Sequence, residues 1–257
     1  MSVENGYPKT KFVDRVLGID LDRFVFDTQY YFGIYLDVAY ETAGIDPDEV
    51  IAYRARIEAE KKSFHIDLAL STILEKMDET RVRDETYLTP EQHLNHVHAA
   101  MLTTDKIDVS KLFLPGAKAF VDRIASEGAF RDGRAFFFTH GTQPGQLMKT
   151  IRAELNAYPI VITDDTDKGE LIQQKWVQKD VLFGAYVIRL LNGGLIVAER
   201  FAHGDDKLFT LPEDAQLFLK VAEGKEPPDA ESLPNNVEVV DDFEPMLRYL
   251  GLNALKP

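Results

Sequence analysis

"VLGIDLDRFVFDT", residues 16–28, is the stretch on which the fold turns. An unbroken apolar run enters two aspartates, Asp20 and Asp22, and then becomes apolar again. A strand that is apolar at every position, rather than at alternate ones, is buried on both faces, as strands of a parallel sheet are. In open parallel sheets ligands sit beyond the carboxyl ends of the strands, and Asp20 and Asp22 fall at that edge. Two carboxylates at one strand end repel each other and lose hydration, so both stay ionised only with a cation or strong donors between them. A hard divalent ion such as Mg²⁺ meets that need, since it prefers oxygen ligands. A solvated loop with one aspartate capping the next turn accounts for the pair equally, and the spacing alone does not separate these readings.

Outward from this strand the pattern changes. From residue 28 to about 110 it is helical: "QYYFGIYLDVAYETAG" carries apolar residues at helical spacing and stops at Gly44, and "TPEQHLNHVHAAML" opens on a threonine cap followed by proline. After "LPGAKAFVDRIASEG" (114–128), a loop and a helix ended by Gly128, strands and helices alternate. "RAFFFTHG" (134–141) reads as a strand, "QLMKTIRAEL" (146–155) as a helix, "PIVIT" (159–163) as a strand, and a further helix begins near Lys168 in "DKGELIQQKW". This alternation predicts an α/β fold, a Rossmann-like doubly wound parallel sheet with an inserted α-helical segment. "VLFGAYVIRLLNGGLIVAERF" fits a long helix followed by a strand, or a hairpin turning at Asn192-Gly193, and the first is preferred. "AQLFLKVAEG" (215–224) and "VEVV" (237–240) read as strands and "FEPMLRYLG" as a terminal helix.

The 257 residues allow one α/β domain with an insertion, and the 45% hydrophobic content is that of a globular chain. A formal charge of -14 disfavours nucleic acid and anionic membrane as partners. The absence of cysteine removes disulfides, thiolate metal sites and cysteine nucleophiles. The polar opening "MSVENGYPKTKF" has no apolar signal core, which leads to the expectation of a cytoplasmic protein. His93, His96 and His98 in "HLNHVH" share a helix face, but no acid stands near them at a recognised ligand spacing, so a polar helix face is preferred to a zinc site.

The ordered set of strand ends resembles the haloacid dehalogenase-like (HAD) hydrolases. "GIDLDRFVFDT" is similar to the family's first signature, "FFFTHG" with Thr139 to its second, and Lys168 in "DKGELIQQ" to its third, with Lys207 as the other possibility. "LPGAKAFVDRIASEG" resembles the segment by which such chains re-enter the core after a helical cap. The resemblance implies a core of residues 1–27 and 111–257 with a cap of 28–110, and phosphoryl transfer through an aspartyl-phosphate. Asp20 would be the nucleophile, and Asp22 the general acid and base, its main-chain carbonyl also facing the metal. Thr139 and the amides of His140 and Gly141 would hold the phosphoryl oxygens, and Lys168 would balance charge. Mg²⁺ would be held by Asp20, Asp22 and a late acidic pair. For that pair Asp205 and Asp206 in "FAHGDDK" are preferred to Asp241 and Asp242 in "VEVVDDF" because they lie closer behind Lys168 and leave room for a further strand.

The implied activity is Mg²⁺-dependent hydrolysis of a small phosphorylated metabolite, with a phosphomutase as a close variant. A dehalogenase is disfavoured, because that branch needs no metal and has no use for Asp22. Phe24 stands where the family has Thr or Val. That departure suggests the alternative of a catalytically silent relative that binds a ligand or a protein. The sequence does not specify an oligomeric state.

Overall fold

The computed structural model describes residues 9–60, 64–80, 87–163, 180–183, 186–201, 216–221, 229, 231 and 233–252; Lys168, Asp205, Asp206 and Lys207 lie outside them. The elements in chain order are β1 (Lys9–Asp20), α1 (Thr28–Ala43), α2 (Pro47–Ala59), α3 (Ile66–Asp78), α4 (Pro90–Thr103), a 3-10 turn (Val109–Leu112), α5 (Ala117–Ser126), β2 (Ala135–His140), α6 (Gln143–Arg152), β3 (Ile160–Thr163), β4 (Asp180–Phe183), β5 (Tyr186–Phe201), β6 (Gln216–Val221), β7 (Val237–Val240) and α7 (Glu244–Tyr249). They fall into two compact units. One comprises residues 1–26, 113–140 and 157–257; the other comprises 27–112 and 141–156.

The first unit is built on one sheet in the order β3-β2-β1-β5-β6-β7, with β4 added to β5. Every neighbouring pair along that order is parallel, and only β4 runs antiparallel to its partner. Chain order runs outward in both directions from β1, so the sheet reverses between β1 and β5. Such a reversal is the switch point at which doubly wound sheets open a crevice beyond the carboxyl ends of their strands. The core lies where the sequence is unbroken in its apolarity. Val16, Leu17, Ile19 and Leu21 are fully buried, as are Phe136, Phe137 and Phe138 of β2. Two parallel strands side by side leave neither face to water, and this explains why neither alternates.

The second unit is helical. Asp27 caps α1 by accepting from the amides of Gln29 and Tyr30, and Gly44 ends it in the left-handed conformation at φ 69°. Thr89 and Gln92 form a reciprocal capping box at the start of α4, with Pro90 in its first turn. Gly44 and Thr89 are the stop and the cap that the sequence predicts. The unit gathers α1 to α4 and the 3-10 turn, and α6 belongs to it as well.

One region departs from the expected pattern. The long helix read into "VLFGAYVIRLLNGGLIVAERF" is instead strand: β4 pairs antiparallel with the first residues of β5, Phe183 opposite Tyr186, and β5 continues to Phe201. Asn192-Gly193 therefore lies inside β5, after the residues that pair with β4. There the register against β1 shifts, from Val13 opposite Leu190 to Arg15 opposite Gly194. The segment is rich in Val, Ile, Leu and Tyr, which suit a pleated sheet, and a bulge absorbs the Asn-Gly that would otherwise turn the chain.

Candidate active site

Asp20 is the last residue of β1 and is buried, at 4% exposure. Its register partner on β2 is Phe138, so the residues one and two steps further along β2 are Thr139 and His140. Thr139 is fully buried, and its hydroxyl donates to Asp22 Oδ2 at 3.2 Å. A buried hydroxyl needs a partner, and this one takes it from the acidic pair across the strand boundary. Asp20, Asp22 and Thr139 are thus brought to one edge of one sheet from two separate stretches of sequence.

The backbone between Asp22 and the helical unit is tightly wound. Leu21 O accepts from the amides of Val25 (3.3 Å) and Phe26 (2.9 Å), the Arg23 amide donates to Phe26 O at 2.9 Å, and Arg23 itself has φ 62°. Phe26 then forms a bridge with Phe113, and the Leu114 amide donates to Val25 O at 3.0 Å. The outgoing and returning chains are in this way pinned side by side. Phe24, fully buried, meets Phe243 edge-on at 5.4 Å, and Phe243 stacks on Phe120 at 4.6 Å. The aromatic ring at this position is therefore a piece of the core of the sheet unit.

The late acidic pairs differ in where the sheet puts them. Asp241 and Asp242 follow β7, which is separated from β1 by β5 and β6. Three strand spacings amount to about 14 Å, too far for one ion to bridge to Asp20. Asp242 instead accepts from the Glu244 amide at 2.9 Å, at the start of α7. Asp205 and Asp206 lie outside the described residues, but the chain that carries them leaves the carboxyl end of β5, the direct neighbour of β1. Register also marks a residue that sequence reading passed over. Ile19 pairs with Ala198, so the next residues on the two strands, at the switch point, are Asp20 and Glu199. Its place beside Asp20 comes from strand pairing, which sequence spacing does not show.

Among the described residues no group of three or more His, Cys, Asp or Glu side chains is gathered to hold a metal ion. Gly141 belongs to the helical unit and His140 to the sheet unit. Of the α4 histidines, His98 does face an acid: its Nε2 lies 3.2 Å from Asp67 Oδ1 on α3, a partner that spacing along one helix does not reveal.

A reversing parallel sheet with paired aspartates at its switch point and a long helical insertion after the first strand defines a class: an α/β protein with the fold of the HAD hydrolases. Solved structures agree. The chain is similar to the HAD hydrolase YfnB from Bacillus subtilis, determined bound to magnesium, at 13% identity with a TM-score of 0.53, covering 95% of this chain and 100% of that one. It is similar also to a haloacid dehalogenase-like hydrolase from Burkholderia xenovorans LB400, at 13% identity with a TM-score of 0.56, covering 93% and 96%. At such identity the likeness is one of fold. No family model matches the chain, and no curated protein matches it in sequence. Among the described residues, no helix is long and apolar enough to cross a membrane.

Proposed function

We propose that the protein is a Mg²⁺-dependent phosphatase acting on a small phosphorylated metabolite through an aspartyl-phosphate on Asp20. The observation that carries this reading is the register of β1 on β2, with Asp20 level with Phe138 and the Thr139 hydroxyl on Asp22. Asp20, Asp22 and Thr139, which would serve as nucleophile, acid and phosphoryl ligand, lie at one edge of the sheet. The donor set fits the metal: Asp20 and Asp22 offer hard oxygens, and a buried carboxylate with a second one two residues on favours a divalent cation. Asp20, Asp22 and, on the segment leaving β5, Asp205 and Asp206 would hold it. Bound there, Mg²⁺ supplies charge neutralisation between the attacking carboxylate and the phosphoryl oxygens.

In this reading an Asp20 oxygen attacks phosphorus, the phosphorus–oxygen ester bond breaks, and the leaving oxygen takes a proton from Asp22. A water then attacks the phosphorus of the acyl phosphate, passing its proton to Asp22, which frees phosphate and restores both carboxyl groups. Thr139 and the amides of His140 and Gly141 bind the transferring oxygens, and Lys168 balances their charge. The helical insertion of residues 28–110 would act as the cap, excluding water and selecting the substrate. Phe24 does not argue for a silent protein, because its ring is spent on packing against Phe243.

The test is turnover of a generic phosphomonoester with and without Mg²⁺, in the wild type and in Asp20→Asn. Hydrolysis that needs the metal and vanishes in the variant supports the reading. Hydrolysis that persists in Asp20→Asn, or after complete metal removal, overturns it.

A further inference from the structure

The helical unit holds a buried carboxylate that the proposed chemistry does not use. Asp67, in the first turn of α3, is only 7% exposed. Its Oδ1 accepts from the Tyr35 phenol of α1 at 3.0 Å and from His98 Nε2 of α4 at 3.2 Å. Its Oδ2 accepts from the Thr142 hydroxyl. Thr142 is the N-cap of α6 and in turn accepts from the Gly145 amide at 3.3 Å. A single carboxyl group thus ties three helices to the first turn of a fourth.

The electrostatics favour the ionised form. Burial alone would raise the Asp67 carboxyl, but the hydrogen bonds from His98, Thr142 and Tyr35, together with the charge of His98, hold it below its usual range. Burial, and next the Asp67 charge, push the Tyr35 phenol far up, so it stays a donor. A threonine hydroxyl has one proton, and giving it to Asp67 fixes the lone pairs that face Gly145. A hydroxyl that donates to a carboxylate is also the better acceptor, and negative charge beside a helix N-terminus is favourable. The fit leaves no slack: a Cβ at Gly145 would stand 2.6 Å from Asp67 Oδ2.

Thr142 directly follows Gly141 in the chain. We infer that Asp67 is a positioning residue: by holding the Thr142 hydroxyl it sets the start of α6, and with it Gly141 just before, whose amide would receive the phosphoryl group. Because Tyr35 and His98 share the same carboxylate, the start of α6 is ordered only when α1, α3 and α4 are in place. The catalytic consequence rests on the phosphatase reading; the ordering of the α6 start does not.

The experiment therefore has two arms, applied to wild type, Asp67→Asn, Thr142→Val, Thr142→Ser and the Asp67→Asn/Thr142→Val double variant. Asparagine keeps the size of Asp67 but presents an NH₂ to one of its donors. In the first arm, hydrogen exchange at the Gly145 and Gln146 amides speeds up about tenfold in Asp67→Asn, the scale of one lost hydrogen bond, while amides of β1 and β2 keep their rates. Thr142→Ser restores wild-type rates, and Asp67→Asn adds nothing to Thr142→Val. In the second arm, Asp67→Asn raises KM for a phosphomonoester about tenfold with kcat changed far less. Unchanged exchange at Gly145, or uniform acceleration through every helix of the unit, overturns the proposal. So does full additivity of the two substitutions. Should Asp67→Asn fail to fold, the Thr142→Val and Thr142→Ser pair reads the same link from its other end, and equal exchange in those two variants overturns it. If the wild type shows no turnover the phosphatase reading fails, and the exchange arm still decides the role of Asp67.

Discussion

Two aspartates are buried among the described residues, and they are buried for opposite reasons. Asp67, in the helical unit, draws a phenol, an imidazole and a hydroxyl onto one carboxylate. Asp20, in the sheet unit, ends a strand and shares that end with a second carboxylate two residues on, to which Thr139 donates. A carboxylate ringed by neutral donors and one imidazole is a fastening: the fold provides its charge balance. In the phosphatase reading, one followed closely by another acid would meet a cation and a substrate. The difference predicts that chemistry and stability divide between the two sites.

The largest effect expected is on chemistry. Asp20→Asn should lower turnover by three orders of magnitude or more, since no other group replaces the nucleophile. It should leave the unfolding midpoint unchanged or raised, because it removes one of two like charges. A large drop in stability would place Asp20 with Asp67 as a fastening and erase the contrast. Next comes Phe24→Val, which installs a residue that the HAD pattern tolerates there. Losing a fully buried ring that packs on Phe243 should cost about 2–3 kcal/mol by denaturant titration, with turnover of the remaining folded enzyme altered only a few-fold. Loss of turnover without loss of stability would put Phe24 in the site.

Asp67→Ala should act in the reverse sense to Asp20→Asn. Removing the acceptor leaves one buried and two half-buried donors on three other elements, a cost of about 2–3 kcal/mol, read as a lowered midpoint. The dependence on pH follows from the same group. Burial opposes the charge of Asp67, yet its hydrogen bonds and the charge of His98 outweigh that and hold its folded value below the usual carboxylate range. A lowered carboxyl contributes stability that is complete above the unfolded value and disappears as pH falls through the folded one. The stability gap between wild type and Asp67→Asn should thus hold steady above about pH 5 and close as the pH falls below about 4. A gap that widens on acidification reverses the sign and removes the ionised carboxylate from the account.

The two sites were not equally legible in the sequence. "VLGID" declares a buried parallel strand because it is apolar on both faces, and the acids at its end stand out against it. Helices of the insertion announce their ends through Gly44 and the Thr89 cap with Pro90 after it. β5 was misread because "YVIRLLNGGLIVAERF" satisfies helical and strand spacing alike, and its Asn-Gly resembles a turn while serving as a bulge. Asp67 was invisible for another reason. It lies in an ordinary amphipathic helix, with Tyr35 32 residues before it, His98 31 after it and Thr142 75 after it, so only the tertiary fold makes it a hub. His98 drew notice as one of three histidines, but its partner comes from another helix.

The smallest effect concerns backbone strain, and it again sets one unit against the other. Two non-glycine residues among those described have positive φ: Arg23 at 62°, one residue after Asp22, and Glu154 at 58°, just beyond α6. Each pays about 1 kcal/mol for a left-handed conformation that glycine adopts freely, and glycine also gains entropy in the unfolded chain, so either replacement should shift stability by less than about 1 kcal/mol. Each backbone amide is engaged, that of Arg23 by Phe26 O at 2.9 Å and that of Glu154 by Ile151 O at 3.1 Å, so neither turn should open. Strain that persists beside reactive groups is retained where it aims them, whereas strain at a helix end merely finishes the helix. Arg23→Gly should therefore raise the midpoint slightly while reducing kcat/KM several-fold, and Glu154→Gly should raise it with kcat/KM unchanged. Equal kcat/KM in the two variants would mean that the turn after Asp22 is only a way out of the sheet.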